Sequence, residues 1–89
     1  MLGDIKLSLR ISTTSFDNEI YDLIAAAQLD LGISGVVIPA EIDPLLKRAI
    51  TLYVKANFGW DNPDTERLQK SYLMLKQHLS LSGDYNVMG

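Results

Sequence analysis

The residues able to do chemistry are few and scattered. His78 is the only histidine in 89 residues, and there is no cysteine. It sits near the end of an apolar-periodic segment, on or beside its polar face, with no second ligand at a useful spacing. An imidazole without such partners reads as structural or solvent-facing rather than as a metal ligand or proton shuttle. Asp17, Glu19, Asp22 and Asp30 fall on one segment, and Glu19 and Asp22 share a helical face. Acids paired for hydrolysis would need a cleft that raises one pKa; a charge-rich stretch of this kind reads as a solvated face. Asp61-Asn62-Pro63-Asp64 offers oxygen ligands but lacks the alternation and closing glutamate of a calcium loop. Ser8, Ser12, Ser15, Ser34, Ser71, Ser80 and Ser82 lie in no nucleophile-elbow pattern, and no glycine-rich phosphate cradle is present. The reading is a protein that is not an enzyme, with no metal and no cofactor.

Composition narrows the classes further. Hydrophobic residues are 47% and charged residues 21%, which is globular rather than disordered. A chain of this length makes one domain, over 1–89. It buries only roughly 60–65% of its unfolded surface, so it gains readily from association. The formal net charge is −3, and the cations Lys6, Arg10, Lys47, Arg48, Lys55, Arg67, Lys70 and Lys76 form no basic stripe. That argues against tight nucleic-acid binding. The first ten residues, with Asp4 early and no long apolar core, do not read as a signal peptide. No apolar run is long enough to span a membrane.

Four helical segments are expected. Around residues 2–9, Leu2, Ile5 and Leu9 suit a helix while Ile5, Leu7, Leu9 and Ile11 suit a strand. A short helix capped by Asp4 is the preferred reading, because no partner strand is evident. The second helix runs from about Phe16 to Leu31, after hydroxyl caps in Ser12-Thr13-Thr14-Ser15. Its core stripe is Phe16, Ile20, Leu23, Ile24, Ala27 and Leu31, and Gly32 is the expected left-handed stop. The third begins with Asp43 as cap and Pro44 at the first helical position. Leu45, Ala49, Leu52, Tyr53 and Ala56 form one stripe and Leu46, Ile50 and Val54 another, an arc wide enough for a central helix buried on two sides. Gly59 ends it. The fourth repeats the device with Asn62 and Pro63, presents Leu68, Tyr72, Leu75 and Leu79 to the core, and stops near Gly83. The fold class is therefore all-α, a small bundle of about four helices, with an irregular or β-like loop at 32–42.

Two stretches are surplus to that bundle. Val36, Val37 and Ile38 form an apolar, β-branched run ended by Pro39, and Tyr85, Val87 and Met88 lie in a tail at 84–89 with little helical signal. The first is either a core plug or an edge that adds to a neighbouring subunit. Trp60, just after a helix-ending glycine, either covers the helix corner or anchors an interface.

Asp17–Gly32, "DPLLKRAITLYVKANFGW" at 43–60 and "RLQKSYLMLKQHLSLSGDYN" at 67–86 together resemble the small phage head–tail connector, or adaptor, family, whose members are often labelled DNA-packaging proteins. The resemblance implies a mostly helical structural subunit with no enzymatic activity. It implies a ring, commonly of twelve copies, beneath the portal protein. That ring extends the DNA exit channel and carries a stopper or tail-completion protein, and DNA passes through without specific binding. Location follows as the virion's head–tail junction, with the host cytoplasm during assembly and no membrane. Twelve copies at −3 would carry roughly −36 formal charges, a surface that does not grip phosphates. Within this picture Val36, Val37, Ile38 and Trp60 are subunit-interface candidates. In the family the C-terminal tail tends to dock on the portal, which makes Tyr85, Val87 and Met88 portal-contact candidates; the tail of this chain is short. The competing expectation is a small helical binding module or regulator that docks one partner and forms no ring.

Overall fold

The apolar arc of the third segment organises the molecule. A computed structural model describes residues 1–59, 62–83 and 85. It contains α1 (Leu2–Leu9), α2 (Asp17–Ile33), α3 (Pro44–Asn57) and α4 (Thr65–Leu81), the all-α bundle expected. Helix α3 packs against all three others, most extensively against α4 and α2. Both of its stripes are used: Leu46, Ala49, Ile50 and Val54 are fully buried, and Leu52 and Ala56 nearly so. Burial of each large aliphatic side chain contributes about 1.5–3 kcal/mol, so α3 is the principal stabilising element. The other helices add Ile5, then Ile20, Ile24, Ala27 and Leu31, then Leu68, Tyr72 and Leu79.

Helix starts differ in how they are made. Asp43 caps α3 as expected, its Oδ1 accepting from the Leu46 N–H at 2.8 Å, with Pro44 in the first turn. The other three N-caps are Met1, Phe16 and Asp64, and none makes a side-chain cap bond. Asp4 thus does not cap α1; it lies in the first turn, where the helix dipole favours an anion, and it pairs with Lys47 of α3 at 3.1 Å. Asn62 and Pro63 precede α4 rather than begin it. The Asn62 side chain accepts from the Asp64 N–H and donates to the Lys55 carbonyl, so it fastens the corner to the end of α3. The expected cap is in effect a tie between two helices, and Thr65 donates through both N–H and hydroxyl to the Asn62 carbonyl.

Left-handed residues close α1 and α2, whereas α4 ends at Leu81 on an extended Ser82, and Gly83, its expected stop, is not among the left-handed glycines of the described residues. Gly32 does not stop α2; the helix continues through it to Ile33, because a glycine inside a helix costs only about 1 kcal/mol. The stop is Gly35 at φ +93°, whose N–H donates to the Gly32 carbonyl while the Val36 N–H donates to the Leu31 carbonyl. This is a Schellman closure, and its usual apolar contact is made by Leu31 and Val36, both in the core. Helix α1 closes the same way on Arg10 (φ 60°), with N–H groups of Arg10 and Ile11 reaching the Leu7 and Lys6 carbonyls. Gly59 at φ +86° follows α3, as expected. At the edges of the expected stripes, Phe16 is 43% exposed and packs edge-on against Phe58, Leu45 is 38% exposed, and Leu75 is half-buried.

Two stability outcomes follow. Ile50→Ala should cost about 2–5 kcal/mol, whereas Leu75→Ala, on a half-buried side chain, should cost about half as much; urea unfolding of both variants checks the ranking. Gly35→Ala should cost about 1 kcal/mol through its left-handed backbone alone, since no atom lies within 4 Å of the added methyl; the same titration reads it.

Candidate assembly surfaces

The run at 36–38 divides its side chains between interior and surface. Val36 is carried inward by the closure of α2 and is 3% exposed, which makes it a core plug. Val37 is 43% exposed, and Ile38 lies half-buried against the core. The Val37 N–H donates to the Tyr85 carbonyl at 2.7 Å, so the two stretches that looked surplus to the helices meet each other. Tyr85 is itself half-buried, and its hydroxyl donates to Asp43 Oδ2 at 2.7 Å. Among the interface candidates, then, Val37 keeps an open side chain and Val36 is committed to the interior. Trp60, Val87 and Met88 lie outside the described residues.

Asp43 accordingly serves both α3 and the chain beyond α4. Its carboxyl is held below the ordinary value of 3.8, first by the Leu46 N–H and then by the Tyr85 hydroxyl. A second polar tie joins α2 to α4. The Tyr72 hydroxyl donates to Asp30 Oδ2 at 2.5 Å, and Lys76 Nζ lies 3.0 Å from the same oxygen and 5.4 Å from the Tyr72 ring centre. Tyr72 also meets Tyr53 edge-on. Desolvation pushes the Asp30 carboxyl up, but the bonds from Tyr72 and Lys76 and the lysine charge outweigh it and leave the pKa lowered. Burial, and then the bond to Asp30, drives the Tyr72 phenol far above its usual range. The pair is fixed as carboxylate and neutral phenol, the states suited to a structural clasp. Beside it lies an open depression of about 250 Å³, also bordered by Asn57 and Gln69.

The remaining α2 acids do not converge. Asp17 pairs with Lys6 of α1 at 2.8 Å, and Glu19 and Asp22 face solvent. His78 is exposed. No group of three potential metal ligands occurs among the described residues, and no helix among them is long and apolar enough to cross a membrane.

What the surface does concentrate is apolar area. Tyr21, Leu29 and Ile33 on α2 are 55%, 68% and 85% exposed, and Leu73, Met74 and Leu81 on α4 are 54%, 71% and 77% exposed. Single exposed apolar residues are ordinary, but contiguous rows of them mark association surfaces. The sequence signal for these rows was present as apolar residues lying off the core stripes. The Asp30–Tyr72–Lys76 clasp had no such signal, since Asp30 lies more than 40 positions from both of its partners.

The described residues thus form a small helical bundle with apolar residues exposed on α2 and α4. The chain belongs to the phage connector protein family, whose model matches residues 1–86. Neither the curated proteins nor the solved structures compared with the chain gave a match.

The two lowered carboxyls set the acid behaviour. Each is a better acid folded than unfolded, so its contribution is complete above the ordinary carboxylate value and is lost as pH falls through the folded one, below about pH 4. Asp30→Asn should therefore flatten the fall in thermal midpoint between about pH 5 and pH 2 relative to the parent, as read by circular dichroism.

Proposed function

We propose that this connector protein is a structural subunit of a ring at the phage head–tail junction, acting as one domain over 1–89. The ring joins the portal protein to a stopper or tail-completion protein and lines the channel through which DNA leaves, without gripping it. Twelve copies is the stoichiometry taken from the resemblance. No catalytic step, metal or cofactor enters this reading. The observation that carries it is membership of the connector family across residues 1–86. The open apolar rows on α2 and α4 support it, because a ring subunit must keep two faces for its neighbours. The net charge of −3 supports passage without retention, since holding DNA requires cations to neutralise phosphates.

The test is assembly beside a portal. Mixing the chain with its portal ring should give a closed ring of about twelve copies stacked on the portal, visible by electron microscopy and countable by native mass spectrometry. A persistent one-to-one complex with a single partner and no ring would favour a binding module and defeat the proposal.

A further inference from the structure

The two apolar faces differ in shape and in charge, and both differences point the same way. On α2, Tyr21, Ala25, Leu29 and Ile33 recur at i, i+4, i+8 and i+12, and all four are exposed. At 100° per residue this row lies roughly 145° round the helix from the core row of Ile20, Ile24, Ala27 and Leu31. It is a ridge along the outward side, about 18 Å long at 1.5 Å per residue. On the other face, α3 and α4 leave a shallow groove of about 490 Å³, floored by Leu45, Leu52, Met74 and Leu75 and edged by Arg48 and His78. Leu81 extends the apolar strip about two helical turns beyond Met74. Rows of every fourth residue are the ridges that seat in grooves when helices pack.

Charge pairs the same two surfaces. Helix α2 carries Asp17, Glu19, Asp22 and Asp30 and no Lys or Arg. Helix α3 carries Lys47, Arg48 and Lys55 and no acid. Asp17 and Asp30 are taken up by Lys6 and Lys76, and Lys47 by Asp4. Glu19 and Asp22 on the ridge's helix and Arg48 on the groove's edge are exposed and make no ion pair among the described residues; Lys70 and Glu66 of α4, also exposed and outside any ion pair, line the adjoining depression together. A ridge meeting its own copy would face acid with acid; a ridge meeting the groove of another copy faces acid with base.

We infer that the outward ridge of α2 in one copy, centred on Leu29, docks into the α3–α4 groove of the next copy, centred on Met74, in a head-to-tail contact. The partner is a second copy of this chain, and the inference rests on the ring reading by naming the two faces that build it. Such a contact is heterologous, so it propagates from copy to copy and closes only if the rotation per subunit allows.

The absence of cysteine makes the test direct. Leu29→Cys and Met74→Cys each replace an exposed side chain, and unchanged thermal midpoints confirm that both variants fold. Under mild oxidation at high protein concentration, each variant alone should stay monomeric, an equimolar mixture should give a disulfide-linked dimer containing one of each, and the double variant should give a ladder of linked chains. Asp22→Lys should cut the mixed cross-link about tenfold, and adding Arg48→Glu to the partner should restore it. Homodimers of Leu29→Cys equal in yield to the mixed dimer, or no mixed dimer at any concentration, would overturn the inference. Wild-type rings on the portal without the Leu29–Met74 cross-link would overturn the interface and leave the ring standing; a ladder whose parent protein forms only open chains would support the interface and defeat the ring.

Discussion

The two-sided burial of α3 is the constraint from which the rest of the molecule follows. A helix of fourteen residues with Leu46, Ile50 and Val54 on one row and Ala49, Leu52 and Ala56 on the next cannot hide both rows against one neighbour. It needs elements on both flanks, and α2 and α4 supply them while α1 covers part of what is left. The alanines let the flanking helices approach closely. That arrangement spends the apolar capacity of α2 and α4 on their inner sides and turns their outer sides to solvent. Those outer sides carry apolar residues as well, the kind of surface that association buries.

Polar contacts in this bundle fix relationships between helices more than they stabilise single elements. Asp30 receives Tyr72 and Lys76 across the α2–α4 boundary, Asn62 secures the α3–α4 corner, and Lys6 and Lys47 hold α1 to α2 and α3 through Asp17 and Asp4. Exposed ion pairs contribute little energy each, but they determine which helix faces can sit side by side. In the proposed ring, such ties would hold the two faces of each subunit at a constant angle, since error in that angle accumulates from copy to copy.

Much of this was legible in the sequence, where local rules apply. The Asp43-Pro44 start, the two α3 stripes, the turn at Gly59 and the Leu68–Tyr72–Leu79 row follow from capping chemistry and helical period, and they hold. The end of α2 was placed three residues early, at Gly32, because several glycines can close a helix and only the backbone angle at Gly35 decides which one does. The start of α4 was placed two residues early, because an Asn-Pro turn ahead of a helix and an Asn-Pro cap have the same spelling. The surplus segments at 36–38 and 85 were recognised as segments, but their mutual hydrogen bond joins positions 48 apart and has no sequence signature. The apolar rows on α2 and α4 were hidden by the core stripes: once one face of a helix is assigned to the interior, remaining Leu, Ile and Met residues pass as ordinary surface. The family membership rests on the pattern of the whole chain, and no single residue carries it.

Asp43 gives the bundle a shared point of attachment. One carboxylate oxygen receives the first turn of the central helix and the other receives Tyr85, beyond the last helix. Asp43 thereby couples Tyr85, beyond the last helix, to the N-terminal end of α3, the best-buried helix. Loss of that one carboxylate would remove the cap of α3 and the anchor of Tyr85 together, and Tyr85 is also the residue whose carbonyl receives the Val37 N–H.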